Sequence, residues 1–92
     1  MLQVGSVVYS TAGRDKHRFY AVVSLEPGAA RIADGKTRKL ICPKRKNHMH
    51  LRPTKTVLDS AAMKTDKALR LALAPLNGEG AWAQQEGGMK LV

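Results

Sequence analysis

Hydrophobic positions in the first fifty residues recur with a period near two. In Val4-Gly5-Ser6-Val7-Val8-Tyr9-Ser10, Val4 and Val8 fall on one face and Val7 and Tyr9 on the other. The run is rich in β-branched residues and predicts a strand. From Arg18 to Leu25 the alternation is clearest, with Phe19, Ala21, Val23 and Leu25 opposing Tyr20, Val22 and Ser24. Both faces are partly apolar, as in the central strand of a barrel. Thr11 to Lys16, between these runs, is a polar loop with one glycine, Gly13. Pro27-Gly28 suits the central positions of a type II turn, because proline fixes φ and glycine accepts the positive φ that follows. Ala30 to Ala33 is a short strand. Asp34-Gly35 predicts a two-residue type I′ hairpin, with Thr37 to Cys42 as the return strand. Pro43 marks a strand end or an edge, Lys44-Arg45-Lys46-Asn47 reads as a basic loop, and His48 to Arg52 as a last strand closed by Pro53. Five short strands in about fifty residues predict a mostly β fold, a small antiparallel barrel.

The period changes after Pro53. Ala, Leu and Lys dominate to Leu76, and two helical readings compete. One starts from a cap at Asp59 or Ser60; the other starts at Thr65, with Asp66 at the positive end of the helix dipole. Leu69, Ala72, Leu73 and Leu76 share a face at i, i+3, i+4 and i+7, and Pro75 is expected to end the helix near Leu73 or Ala74. Residues 1–54 are thus read as the barrel and 55–92 as a C-terminal extension, helical around 59–74. Trp82 is a candidate anchor onto the barrel, and residues 77–92 carry no assignable pattern.

Charge sharpens this division. The chain has 92 residues and a formal net charge of +9. Residues 1–56 hold twelve Lys and Arg against Asp15, Glu26 and Asp34, so they carry the whole excess; residues 57–92 hold four of each sign. A basic module with a neutral appendage faces a polyanion, unless the charge only keeps the surface soluble. No apolar run reaches the roughly 18 residues of a membrane span, and Met1 to Gly5 does not open like a secretory signal. The single cysteine, Cys42, excludes an internal disulfide and fits a reducing, cytoplasmic setting.

Residues Gly5 to Val23, with Gly13 and the basic cluster Arg14, Lys16 and Arg18 between two strand patterns, resemble a KOW motif. Ile32 to Leu40 and Pro43 to Thr54 extend the likeness in order, so that it covers about residues 3–54. The chain is similar to the family of archaeal and eukaryotic large-subunit ribosomal protein fourteen-e and to small bacterial KOW-domain proteins. The resemblance implies an SH3-like barrel that binds structured RNA, ribosomal RNA of the large subunit above all, among ribosomal proteins and as a monomer when free. Many KOW motifs have a second glycine where this chain has His17, so the loop shape there is open.

The residue chemistry agrees with that implication. Gly13 allows a tight turn and close approach to a sugar-phosphate chain. Arg grips phosphate bidentately and Lys acts as a mobile point charge. The expected contacts are Gly13, Arg14, Lys16, His17 and Arg18 on the first loop, Lys36, Arg38 and Lys39 at the hairpin, and Lys44, Arg45, Lys46 and His48 on the third basic segment. Asp15 is expected to hold Arg14 or Lys16. Few aromatics argue against a platform for single-stranded bases. Other readings are solvated loop charges, a polybasic patch for anionic lipid, and an SH3-like module that binds protein. Cys42, His48 and His50 lack the paired spacing of a zinc site, and Cys42 is expected to be a small buried residue at a strand end. No metal, cofactor or catalytic residue is expected. The Leu69, Leu73 and Leu76 stripe is read as packing.

Overall fold

The computed structural model describes residues 2–78. Its elements are β1 (Ser6–Ser10), β2 (Phe19–Glu26), β3 (Ala29–Ala33), β4 (Lys44–Asn47), β5 (Leu51–Val57) and α1 (Asp66–Asn77). The expected role of Trp82 lies outside the described residues. The fold is mostly β: one antiparallel five-stranded sheet in the order β4-β3-β2-β1-β5, plus a C-terminal helix.

The two edge strands are nearly consecutive in the chain. Only a 3₁₀ turn, His48–His50, joins β4 to β5. Four strand spacings would separate the edges of a flat sheet by about 19 Å, whereas the four steps from Asn47 to Leu51 reach at most about 14 Å. The sheet therefore curls, bringing its edges toward one corner, although no ladder pairs β4 with β5.

Curling creates two cores. Val8, Tyr20, Val22, Ala30, Ile32 and Leu51 are buried on one face, with Leu2 packed against them. Val7, Ala21 and Ala33 line up across three strands on the other face, where Leu69 and Leu73 of α1 cover them. β2 is central and buried on both sides, as its pattern predicts. The boundary read at residue 54 falls inside β5, and the helix of the extension roofs the second core.

Several local expectations are corrected. Val4 is exposed and β1 begins at Ser6, because the chain turns at Gly5, whose φ is +93°. Asp34-Gly35 does not form a type I′ hairpin: only Gly35 has positive φ. The Asp34 carboxylate instead accepts from the N–H groups of Lys36 and Arg38 and from the Thr37 hydroxyl. The Arg38 carbonyl accepts from the N–H groups of Asp34 and Gly35. These bonds wind residues 34–38 into a loop, so the return strand is not Thr37 to Cys42 but Lys44–Asn47, the segment read as a basic loop. Cys42 and Ile41 are exposed on that loop. His48 and His50 sit in the 3₁₀ turn, not on a strand. Pro53 lies within β5, opposite Val8, as an edge strand permits. The register shifts beside it, and the Thr54 hydroxyl donates to the Val7 carbonyl.

The Thr65 reading of the helix start is the one adopted, with Oγ1 accepting from the Ala68 N–H at 3.0 Å. Asp59 caps only a turn, accepting from Ala62. The helix runs past Pro75 to Asn77. Its end is set by Gly78 in the left-handed conformation, whose N–H reaches the Ala74 and Pro75 carbonyls. Asn77 also bridges to β2, accepting from the Phe19 N–H at 2.8 Å and donating to its carbonyl at 3.2 Å. Leu76 is exposed, so the buried stripe is Leu69, Leu73 and Ala74.

Candidate nucleic-acid interface

Two of the three basic segments meet at one end of the sheet. The β1–β2 loop carries Gly13, Arg14, Lys16, His17 and Arg18, and the β3–β4 loop carries Lys36, Arg38 and Lys39. They are tied by a reciprocal exchange: each loop supplies a buried aspartate that holds the other loop's arginine. Asp15 Oδ1 accepts from Arg38 Nε at 2.9 Å, and Arg18 Nη2 lies 3.5 Å from Asp34 Oδ2. Lys46 from β4 joins the same hub. Its Nζ donates to the Ala12 carbonyl at 2.7 Å and lies 3.6 Å from Asp15 Oδ2. Gly13, at φ +74°, opens a short 3₁₀ turn, and a Cβ there would stand 3.0 Å from that ammonium.

The electrostatics of the hub follow from burial set against pairing. Burial pushes the Asp15 carboxyl up, but the hydrogen bond and charge of Arg38, the charge of Lys46 and the Tyr20 hydroxyl outweigh it and hold it below the ordinary value. Burial likewise raises Asp34, and the N–H groups of Arg38 and Lys36, the Thr37 hydroxyl and the Arg18 charge more than reverse it. The buried Tyr20 hydroxyl, facing both carboxylates, is pushed up to about 12. These groups tie the two loops together. Arg18, Arg38 and Lys46, expected as RNA contacts, hold the loops together, and Asp15 serves Arg38 and Lys46 where Arg14 or Lys16 was expected.

Of the cations expected as contacts, those exposed to solvent are Arg14, Lys16, Lys36 and Lys39 at the loop end, and Lys44 and Arg45 on β4. Arg45 is steered by Glu26: Arg45 Nε and Arg31 Nε donate to its two carboxylate oxygens at 2.8 and 2.6 Å, and these bonds lower the Glu26 pKa. Arg31 and Arg45 are cross-strand partners, so Glu26 separates two like charges that would otherwise repel. His48 is exposed at the far end of β4. His17 answers the question of the missing glycine. It holds φ at +69°, its N–H donates to the Ser10 carbonyl, and its Nδ1 lies 2.9 Å from the Tyr9 hydroxyl.

Sequence reasoning missed Arg31, Glu26 and Arg52. Arg31 and Arg45 were findable only with the correct β3–β4 register. Among the described residues, no three His, Cys, Asp or Glu side chains are grouped to hold a metal ion, and no helix is long and apolar enough to cross a membrane. A cavity of about 570 Å³ is lined mainly by Leu2, Leu25, Pro27, Leu51 and Pro53, with Glu26 and His48 also in its lining. No protein-family model matches the chain, and a search of curated proteins finds no significant relative.

Proposed function

We propose that this protein binds structured RNA, ribosomal RNA first of all, through an SH3-like barrel of the KOW type, and that it performs no chemistry. The observation that carries the reading is the cross-clamped pair of basic loops. Buried Asp15 and Asp34 fix the loops at one end of the curled sheet and leave Arg14, Lys16, Lys36 and Lys39 facing outward. Cations carried on loops held at a fixed separation suit phosphates held at fixed spacing, which is how structured RNA is recognised. The strand, basic-loop, strand order over residues 6–26 and the KOW likeness of residues 3–54 support the same reading, as does the confinement of the net charge to residues 1–56. A cytoplasmic, monomeric protein working among ribosomal proteins follows from that likeness.

The test is the salt dependence of affinity for a structured ribosomal RNA fragment, for the wild type and for Arg14→Ala/Lys16→Ala/Lys39→Ala. These side chains make no hydrogen bond or ion pair with a described residue, so their loss leaves the fold intact. Each lost phosphate contact should lower the slope of log affinity against log salt by about 0.7–0.9. The triple variant should therefore flatten it by about 2–3. An unchanged slope removes these residues from the interface. The apolar cavity favours a second reading, an SH3-like module that binds protein; affinity for RNA that is weak and insensitive to salt would favour it.

A further inference from the structure

Tyr9 pairs with Phe19 on β2 and with Arg52 on β5, so the three residues form one row on one face of the sheet. The Tyr9 and Phe19 rings are tilted by 58° with centroids 5.1 Å apart, and the His17 ring lies 6.2 Å from Tyr9 at 46°. Tyr9 and Phe19 are half-buried; His17 and Arg52 are exposed. The Arg52 side chain makes no hydrogen bond or ion pair with a described residue. His17, which fixes the outer ring, is the only non-glycine residue at positive φ among the described residues. Such a conformation is disfavoured for a side chain and collects at functional sites.

Phosphate binding by itself requires only N–H donors. It gives no reason for a hydrogen-bonded pair of rings beside the basic loop, or for a guanidinium in register with them. Rings with an adjacent arginine are the chemistry that stacks a nucleobase and holds its flanking phosphate. We infer that Tyr9 and His17, flanked by Arg52, form a subsite for an unpaired nucleobase, so that the protein recognises a loop or bulge in its RNA. The subsite rests on the RNA-binding reading above and adds a contact of a different physical kind. The low aromatic count, which argues against a stacking platform, is offset by the concentration of rings at one place.

The probe is an RNA hairpin with 2-aminopurine in its loop, compared with a fully paired duplex of equal phosphate count, using the full chain. The wild type should prefer the hairpin and quench the probe. Tyr9→Leu should weaken hairpin binding about 5- to 150-fold, the range of one lost base stack. Duplex binding and the salt slope should be unchanged, since no phosphate contact is lost. His17→Gly keeps the backbone conformation and removes one ring. It should reduce the hairpin preference several-fold with an unaltered circular dichroism spectrum, so the decision does not hang on Tyr9→Leu folding. Hairpin-to-duplex ratios equal to wild type in both variants overturn the subsite, as does salt-dependent binding by the wild type with no hairpin preference. Wild-type protein that binds neither RNA overturns the RNA reading, and the subsite with it.

Discussion

Replacing Asp15 with Asn removes one charge and almost no volume from the centre of the loop hub. The carboxylate is buried and meets Arg38 at 2.9 Å, Lys46 at 3.6 Å and the Tyr20 hydroxyl at 3.4 Å. At an effective dielectric near 20, each cation contributes a gross attraction of about 5 kcal/mol. Desolvation of the ions offsets several kcal/mol of that. An amide can still accept one hydrogen bond, but it leaves the nearly buried Lys46 ammonium with only the Ala12 carbonyl. Breaking a buried pair on one side costs about 3–5 kcal/mol. With Arg38 partly open to water, Asp15→Asn should cost about 2–4 kcal/mol, a large share of the total stability of a domain this size. Urea unfolding followed by circular dichroism measures it, with the half-buried, more solvent-screened Glu26→Gln as the comparison expected to cost less. The loss should also depend on pH. Below the ordinary aspartate value of 3.8 the unfolded chain binds protons that folded Asp15 still refuses. Wild-type stability is therefore fully present above that value and falls as pH drops toward the depressed folded value. The gap between wild type and Asp15→Asn should be widest at neutral pH and narrow below about pH 4. A loss under about 0.5 kcal/mol at pH 7 would refute the hub. It would return Arg38 and Lys46 to the pool of cations available to RNA.

Two further substitutions test how the loops are seated. Gly35→Ala places a Cβ against the Asp66 carbonyl and 3.0 Å from the Arg70 nitrogen at φ +77°. It should push α1 off the sheet and cost about 2–4 kcal/mol, lowering the melting temperature by roughly 10–25 °C; an unchanged melting temperature would count against the helix packing. At His17, Gly should unfold within about 1 kcal/mol of wild type, since relief of the left-handed strain offsets the lost bond to Tyr9. Val should be about 1–2 kcal/mol worse than Gly, because a β-branched residue fits that conformation poorly. Equal urea midpoints for Gly and Val would mean that the loop does not require positive φ.

The centre of the fold was legible because period-two patterning and turn chemistry agree there. β1, β2 and β3 lie within a residue or two of their expected ends, apart from the exposed Val4. The second half of the sheet was not legible, for a specific reason. Asp34 next to Gly35 carries the signal of a tight hairpin, but the same carboxylate can take backbone N–H groups two and four residues on. Which outcome wins depends on Arg18 and on the first turn of α1, both remote in sequence. Once the loop lengthens, the return strand moves to Lys44–Asn47, a segment whose only buried side chain is a lysine. No hydrophobic pattern marks such a strand. The site shows the same limit. Clusters of Lys and Arg can be counted in a sequence, but whether each faces water or a buried carboxylate is decided by the pairing of loops.

That pairing changes what the net charge means. Residues 1–56 contain three acids, and each is committed. Asp15 holds Arg38 and Lys46, Asp34 holds Arg18, and Glu26 holds Arg31 and Arg45. Five of the twelve cations are thereby fixed in place by neighbours. The side chains of Arg14, Lys16, Lys39, Lys44, Arg52 and Lys55 make no such bond among the described residues. A salt slope built on bulk charge would assume a contact for every cation. A slope built on the structure counts roughly six, which at about 0.7–0.9 per phosphate gives about 4–5. The acids therefore lower the number of ions exchanged on binding, and Asp15 and Asp34 also hold in place the loops that carry Arg14, Lys16 and Lys39. Low aspartate and glutamate content would raise affinity for any polyanion. If the proposed RNA binding holds, Asp15 and Asp34 at the loop crossing and Glu26 between two strand arginines should restrict it to anions with matching geometry, so that the acids, more than the excess of lysine and arginine, would set its selectivity.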